Sequence, residues 1–300
     1  MKVHSDLVER TDLVPLAPAV GPFPGGDFLR AWFEELGDEV EPITLDWDLG
    51  QLSMMKTSTR IEMMGETDLT DYHSPLGEGL DEAIAFLCDQ LGRGIDLSFD
   101  SLPSEAATPL QTALTSAGLV PSVSVHETAM VLSLPEHTDD FYRGLAKHDR
   151  HELRRKHRRY ESLIGPVDLQ GGNGEGFEEF VRLHRLAPGE KGRFMTDRRH
   201  AFFSRLAQLP GWRVDYLVMP TGNAAACVFG WSDSDGYYLY NSCFDPALQA
   251  ASPGLVLLQA MIEDSIKSGL RIFDFLKGDE DYKARLGAKP RPLHRLEVTT

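Results

Sequence analysis

Cysteine is scarce in this 300-residue chain: Cys88, Cys227 and Cys243 are the only three, an odd number without Cys-x-x-Cys spacing. That excludes a disulfide framework and a cysteine-based zinc site, and the three are expected as buried, reduced thiols. His148, His151 and His157 lie close together but among arginines, with no carboxylate or cysteine spacing to complete a ligand set, so no metal is expected. Long apolar runs are missing as well. None reaches the roughly 18 residues that cross a bilayer, and the opening MKVHSDLVERTDLV carries acids where a signal peptide needs an apolar core. The reading is a cytoplasmic protein without a membrane span. Basic residues are nearly absent from one half: residues 1–140 hold 6 Lys/Arg against 26 Asp/Glu, whereas residues 141–300 hold 24 against 20. An acidic half repels phosphate polymers, which argues against a general nucleic-acid binder, while the second half can still accept an anionic ligand.

The length and the charge step near residue 140 point to two domains, each large enough for its own core. The Pro- and Gly-rich stretch VPLAPAVGPFPGG marks residues 1–26 as a flexible tail, followed by one domain over 27–139 and a second over 140–300. In the first, a short helix at 27–36 precedes strands near 41–47, 51–55 and 58–64. A helix at 78–91, the strand GIDLSFD, a helix at 104–117 and the strand VSVHETAMVLSL follow. The second opens with a basic linker helix at 141–161 that places Lys147, His151, Arg154, Arg155 and Arg158 on one face. Pairing of that face with the acidic first domain is the expectation, and anion binding the alternative. Then come strand GPVDLQ, helices at 175–187 and 196–208, and three strands, WRVDYLVM, AAACVFGW and GYYLYNSCF. The helix at 252–268 is apolar nearly all round, hence buried against a sheet. A strand LRIFDF, a helix at 279–286 and a strand near 293–298 complete the chain. The two halves show a similar order, and Ser-Pro precedes the buried helix in both, so a duplicated domain is expected.

Three stretches, KHDRHELRRKHRRYE, RLHRLAPGEKGRFMTDRRHAFFSRLA and the long run from Tyr237 to Gly287, are similar to the GNAT-superfamily acyltransferases of the Fem-like and CelD-like type. The resemblance covers about residues 140–290 and implies an α/β (α+β) GNAT fold, here two tandem GNAT-like domains with a mixed central sheet each. It implies a degenerate first domain and acyl transfer in the second. The donor so implied is acetyl-coenzyme A or another acyl-coenzyme A, and the acceptor is a small molecule or saccharide.

In such domains a loop of pattern Q/R-x-x-G-x-G/A and a helix N-terminus hold the donor pyrophosphate. Gln249 and Gly254 fit that pattern, Ser252 replaces a glycine, and Pro253 offers no N–H. Gln249, Ser252, Gly254 and Leu255 are the loop candidates; a plain helix start, with Ser252 as N-cap and Pro253 at N1, explains the same residues. Tyr240, Asn241 and Ser242 are expected to line the slot for the pantetheine arm, or simply to pack. After the next strand, the resemblance makes Tyr282 the acid for the departing thiolate, a step that suits a phenol. Asp274 is a candidate base, and Lys277 and Lys283 candidates for a substrate phosphate or carboxylate; solvated salt bridges among these residues are the alternative. Two other functions stay open: an aminoacyl-tRNA-dependent Fem-type transferase, although no long helical arm is inserted here, and a non-catalytic GNAT-shaped scaffold.

Overall fold

A computed structural model describes residues 1–57, 60–172 and 176–300. The chain divides into two compact units, Met1–Ala129 with Arg291–Thr300, and Met130–Pro290.

The first unit contains β1 (Lys2–His4), α1 (Gly26–Leu36), β2 (Glu41–Trp47), β3 (Gly50–Lys56), β4 (Arg60–Met63), β5 (Leu76–Gly77), α2 (Leu80–Leu91), β6 (Asp96–Pro103) and α3 (Ser104–Ser116). β7 (Ser122–Ser133) follows. The second unit contains α4 (Thr138–Gly144), α5 (Lys147–Leu163), β8 (Leu169–Gly172), α6 (Phe177–Leu186), α7 (Glu190–Phe194), α8 (Asp197–Leu206), β9 (Trp212–Val218), β10 (Ala224–Ser232) and β11 (Gly236–Phe244). After a 3-10 turn at Pro246–Ala251 come α9 (Pro253–Lys267), β12 (Ile272–Lys277) and α10 (Asp281–Arg285), and the chain ends in β13 (Lys289–Thr299).

Strand order is β1-β2-β3-β4-β6-β13-β7 in the first unit, with β5 on β3, and β12-β11-β10-β9-β8 in the second. Each unit carries three antiparallel strands, then a helix that returns the chain to a parallel neighbour: β4 to β6 through α2, and β11 to β12 through α9. A parallel pair requires such a crossover. Helix α9 explains itself from its sequence. Val256, Leu257, Leu258, Met261, Ile262 and Ile266 surround it with apolar side chains, and all are buried against Val228, Leu239 and Phe273 and their neighbours.

Three sequence expectations change. Residues 1–26 are no tail, because β1 pairs with β2, and Ala17, Val20 and Phe23 are buried. The basic helix is two helices, α4 and α5, broken where Leu145 and Ala146 adopt extended backbone and Leu145 turns into the core. The last strand leaves the second half and pairs antiparallel with β6 in the first unit, Leu293 opposite Pro103 and Val298 opposite Leu97. The expected strand over 58–64 and helix over 175–187 each begin partly outside the described residues, at 58–59 and 175.

Candidate active site

The parallel ladder between β11 and β12 is short. Gly236 pairs with Ile272, Tyr237 with Phe273 and Tyr238 with Asp274, and beyond that point β11 continues to Phe244 without β12 beside it. On its other edge β11 stays paired with β10, but the register slips: Phe229 faces Asn241 and Gly230 faces Leu239, so Tyr240 is the extra residue of a β-bulge. A bulge bends its strand and re-aims the residues around it. The result is a wedge whose one wall is the β11 backbone over Tyr240, Asn241 and Ser242, all half-buried.

The side chains around the wedge have distinct tasks. The Tyr240 ring does not enter it but packs at 5.4 Å on Phe203 and 5.2 Å from Trp212, inside an aromatic core that includes Phe180 and Phe229. Asn241 hydrogen-bonds His184 of α6, a residue 1% exposed. Burial, with the charge of Lys191 nearby, holds the His184 ring neutral by lowering its pKa to about 4. Its Nδ1 has no hydrogen-bond partner among the described residues. His184 shares the buried face of α6 with Phe177, Phe180 and Val181, and a histidine on an otherwise apolar face is the sequence signal for this pairing.

At the far end of β11 the chain turns through Pro246–Ala251 into α9. The Asp245 carboxylate caps the turn by accepting from the Ala247 N–H at 2.9 Å, and the Ser252 N–H donates to the Gln249 carbonyl at 3.1 Å. Gln249 itself is exposed. Ser252 adopts φ 55° and ψ 47°, the left-handed conformation that glycine favours, and its hydroxyl caps nothing. The serine therefore holds the backbone shape of the glycine it replaces, and the side-chain N-cap explanation does not hold. Gly254 and Leu255 lie in the first turn of α9, where N–H groups have no partner within the helix. A methyl added at Gly254 would touch the Phe244 ring at 3.4 Å, an ordinary van der Waals contact, so bulk added there crowds the start of α9 beside the end of β11.

Beyond the ladder, the end of β12 is bound to itself. Asp274, 0% exposed, accepts from the Leu276 N–H at 2.8 Å, and Leu276 takes φ 58°. The Lys283 ammonium, on a residue 3% exposed, donates to the carbonyls of Leu276 (3.4 Å), Lys277 (2.7 Å) and Gly278 (2.9 Å) and pairs with Glu280 at 2.9 Å. An ammonium has three N–H donors, and these are engaged. Lys283 thus gathers the strand end, and it is not the solvated or phosphate-facing lysine that the charged run suggested. Lys277 is half-buried and lends its carbonyl to this knot. Tyr282 is half-buried with its ring edge toward Phe275 at 6.4 Å, and burial first, then the Glu280 charge, push its phenol well above the usual tyrosine range. It stays protonated.

The corresponding gap in the first unit is closed by its own chain. β4 and β6 pair through Glu62 and Ser98, and beyond them His73 fills the space, with Nε2 3.1 Å from the Met64 carbonyl and Nδ1 2.9 Å from the Asp100 carbonyl and 3.0 Å from its carboxylate. His73 also donates its N–H to the Ser101 carbonyl at 3.0 Å.

Residues 147–284 match the model of the acetyltransferase (GNAT) domain. Over the whole chain the fold is similar to FemX, with a TM-score of 0.62 at 11% identity over 91% of each chain. It is also similar to L-PGS from Bacillus licheniformis, with a TM-score of 0.62 at 13% identity over 92% of this chain and 93% of that one. A conserved protein of unknown function from Bacteroides thetaiotaomicron gives 0.64 at 11% identity over 91% and 90%. No curated protein sequence matches the chain. The fold is the GNAT fold. No helix among the described residues is long and apolar enough to cross a membrane, and none of their His, Cys, Asp and Glu side chains form a metal-holding group of three.

Proposed function

We propose that the second unit is an acyltransferase that moves an acyl group from acyl-coenzyme A, acetyl-coenzyme A among them, to an amine or hydroxyl of a small-molecule or saccharide acceptor by direct attack. The observation that carries this reading is the wedge: β11 and β12 part after Tyr238 and Asp274, and the free end of β11 leads through the turn at Pro246–Ala251 into the N-terminus of α9. A parted strand offers backbone hydrogen-bonding groups to an extended amide-containing arm, and a helix N-terminus with its positive dipole end suits a pyrophosphate. Gly254 and Leu255 hold the phosphates through backbone N–H groups of the first turn of α9, and Gln249 and Ser252, bonded to each other through the backbone, shape the turn before it. Tyr240, Asn241 and Ser242 line the arm.

The thioester, when bound, supplies an activated carbonyl carbon and a thiolate leaving group. His184 fixes the Asn241 amide next to the bulge, where a polar group can polarise that carbonyl. Tyr282, held in its phenol form, donates the proton to the departing sulfur, and the proton that the attacking amine or hydroxyl gives up passes through water and restores the phenol. Asp274 and Lys283 act by position: the first sets the turn at Leu276 and the second gathers the three carbonyls, so that α10 presents Tyr282 toward the wedge. Positioning supplies most of the acceleration in a reaction of this type. The closed gap in the first unit supports one donor site per chain.

Thermal unfolding with coenzyme A, acetyl-coenzyme A and longer acyl-coenzyme A esters tests the reading. A ligand at about a hundredfold excess over its dissociation constant adds about 2.7 kcal/mol of stability. A shift with a thioester in the wild type, lost in Gly254→Trp, upholds the donor assignment. No shift with any thioester overturns it.

A further inference from the structure

The cationic face of α5 takes no part in the chemistry proposed for the wedge. Lys147, His151, Arg154 and Arg158 are exposed and lie on one stripe, separated by four, three and four residues. The ion pairs on this helix involve other cations: Arg155 and Lys156 pair with Glu152, and His157 with Glu161. Lys147, Arg154 and Arg158 have no carboxylate partner among the described residues. From the stripe the Arg154 guanidinium lies 6.0 Å from the centre of the Tyr142 ring.

The direction of α5 decides what the stripe meets. Arg150, near its start, donates to the Tyr142 carbonyl at 3.0 Å, and the Tyr142 hydroxyl bonds Glu263 on α9 and accepts from Gln259 at 2.6 Å. Further along, His157 reaches Gln259 at 3.5 Å. Helix α5 therefore runs back along α9 toward the N-terminus of that helix, and it packs against the 3-10 turn Pro246–Ala251. Arg154 lies level with the Tyr142 ring, and Arg158, one turn farther along α5, lies nearer the start of α9.

We propose that Arg154 and Arg158 bind the 3′-phosphate on the ribose of coenzyme A. The inference rests on the acyl-coenzyme A reading. The backbone N–H groups of the α9 start suit the pyrophosphate, whereas the terminal phosphate monoester of the same molecule is a separate dianion that calls for cationic partners of its own. Two guanidinium forks one helical turn apart match its three oxygens. Because the arginines are exposed, the interaction weakens with salt and serves recognition of the donor rather than the chemical step. His151 and Lys147, farther along the stripe, add a field of the same sign.

The test is titration calorimetry of coenzyme A and 3′-dephospho-coenzyme A, with the wild type and with Arg154→Gln/Arg158→Gln. At low salt the wild type is expected to bind coenzyme A about tenfold more tightly than the dephospho form, the size of two exposed charge-assisted contacts. The double variant, with an unchanged melting temperature, is expected to bind both forms equally, at the wild-type affinity for the dephospho form. Equal wild-type affinity for both forms overturns the proposal while leaving the donor assignment intact, and so does a preference that survives in the variant. Failure of the wild type to bind either form overturns the donor assignment itself. Binding of a short RNA that is lost in the variant, with coenzyme A discrimination unchanged, assigns the stripe to another polyanion and also overturns the proposal.

Discussion

The Lys283 ammonium lies 2.7 Å from the Lys277 carbonyl and, through two further carbonyls and Glu280, locks the end of β12 onto α10. Removing it strands three carbonyl oxygens with little access to water. Lys283→Met is predicted to lower stability by about 3 kcal/mol, the scale for deleting one partner of a buried charged cluster. Chemical denaturation measures it; a loss below about 1 kcal/mol means that the lysine is dispensable to the fold.

Ser252 shows where a departure from a sequence pattern is conformationally silent. Its φ of 55° is strained for a residue with a Cβ and free for glycine. Ser252→Gly is predicted to stabilise the protein by about 1 kcal/mol and to leave donor affinity unchanged or tighter. Destabilisation, measured by the same unfolding curves, would indicate an unrecognised role for the hydroxyl.

His184 makes stability depend on pH. Its folded pKa, about 4, lies below the unfolded value of 6.5, so the unfolded chain binds the extra proton between these limits. Stability from this residue is complete above about pH 6.5 and declines as pH falls toward 4, by on the order of 3 kcal/mol. A His184→Gln variant is predicted to show a shallower decline over that window in thermal melts. An unchanged slope shows that the ring is not buried and neutral.

Tyr282→Phe separates chemistry from binding. The phenol is held protonated, and its loss is predicted to lower kcat by about a hundredfold or more while the dissociation constant for the acyl donor changes less than twofold. Steady-state kinetics with direct titration of the donor checks both numbers. A matching loss of affinity assigns Tyr282 to donor packing instead.

Much of the fold was legible because its signals are local. The all-round apolar character of α9 and the alternation of β11 predict a helix buried against a sheet, and both elements form within a residue or two of the expected bounds. What was not legible depends on distant partners. Leu145 and Ala146 are good helix formers, yet the chain bends there so that Leu145 reaches the core beside Gly287. Nothing in the residues near β13 announces that its partner is β6, nearly two hundred positions earlier. The candidate site divides the same way. The β-bulge at Tyr240 and the left-handed turn at Ser252 lie within the stretches singled out in the sequence, but neither conformation can be read from the residues there. The charged run from Lys277 to Lys283 hid a buried ammonium, since burial of a lysine is decided by the carbonyls that close over it.

The central claim, that the donor lies between β11 and the start of α9, is tested most directly by amide hydrogen exchange with and without coenzyme A. The account predicts protection of peptides covering Tyr240–Phe244 and Ser252–Val256, with no change around Met64–Asp100, where His73 closes the first unit. Protection in the first unit, or none at β11 and α9 under saturating coenzyme A, contradicts it.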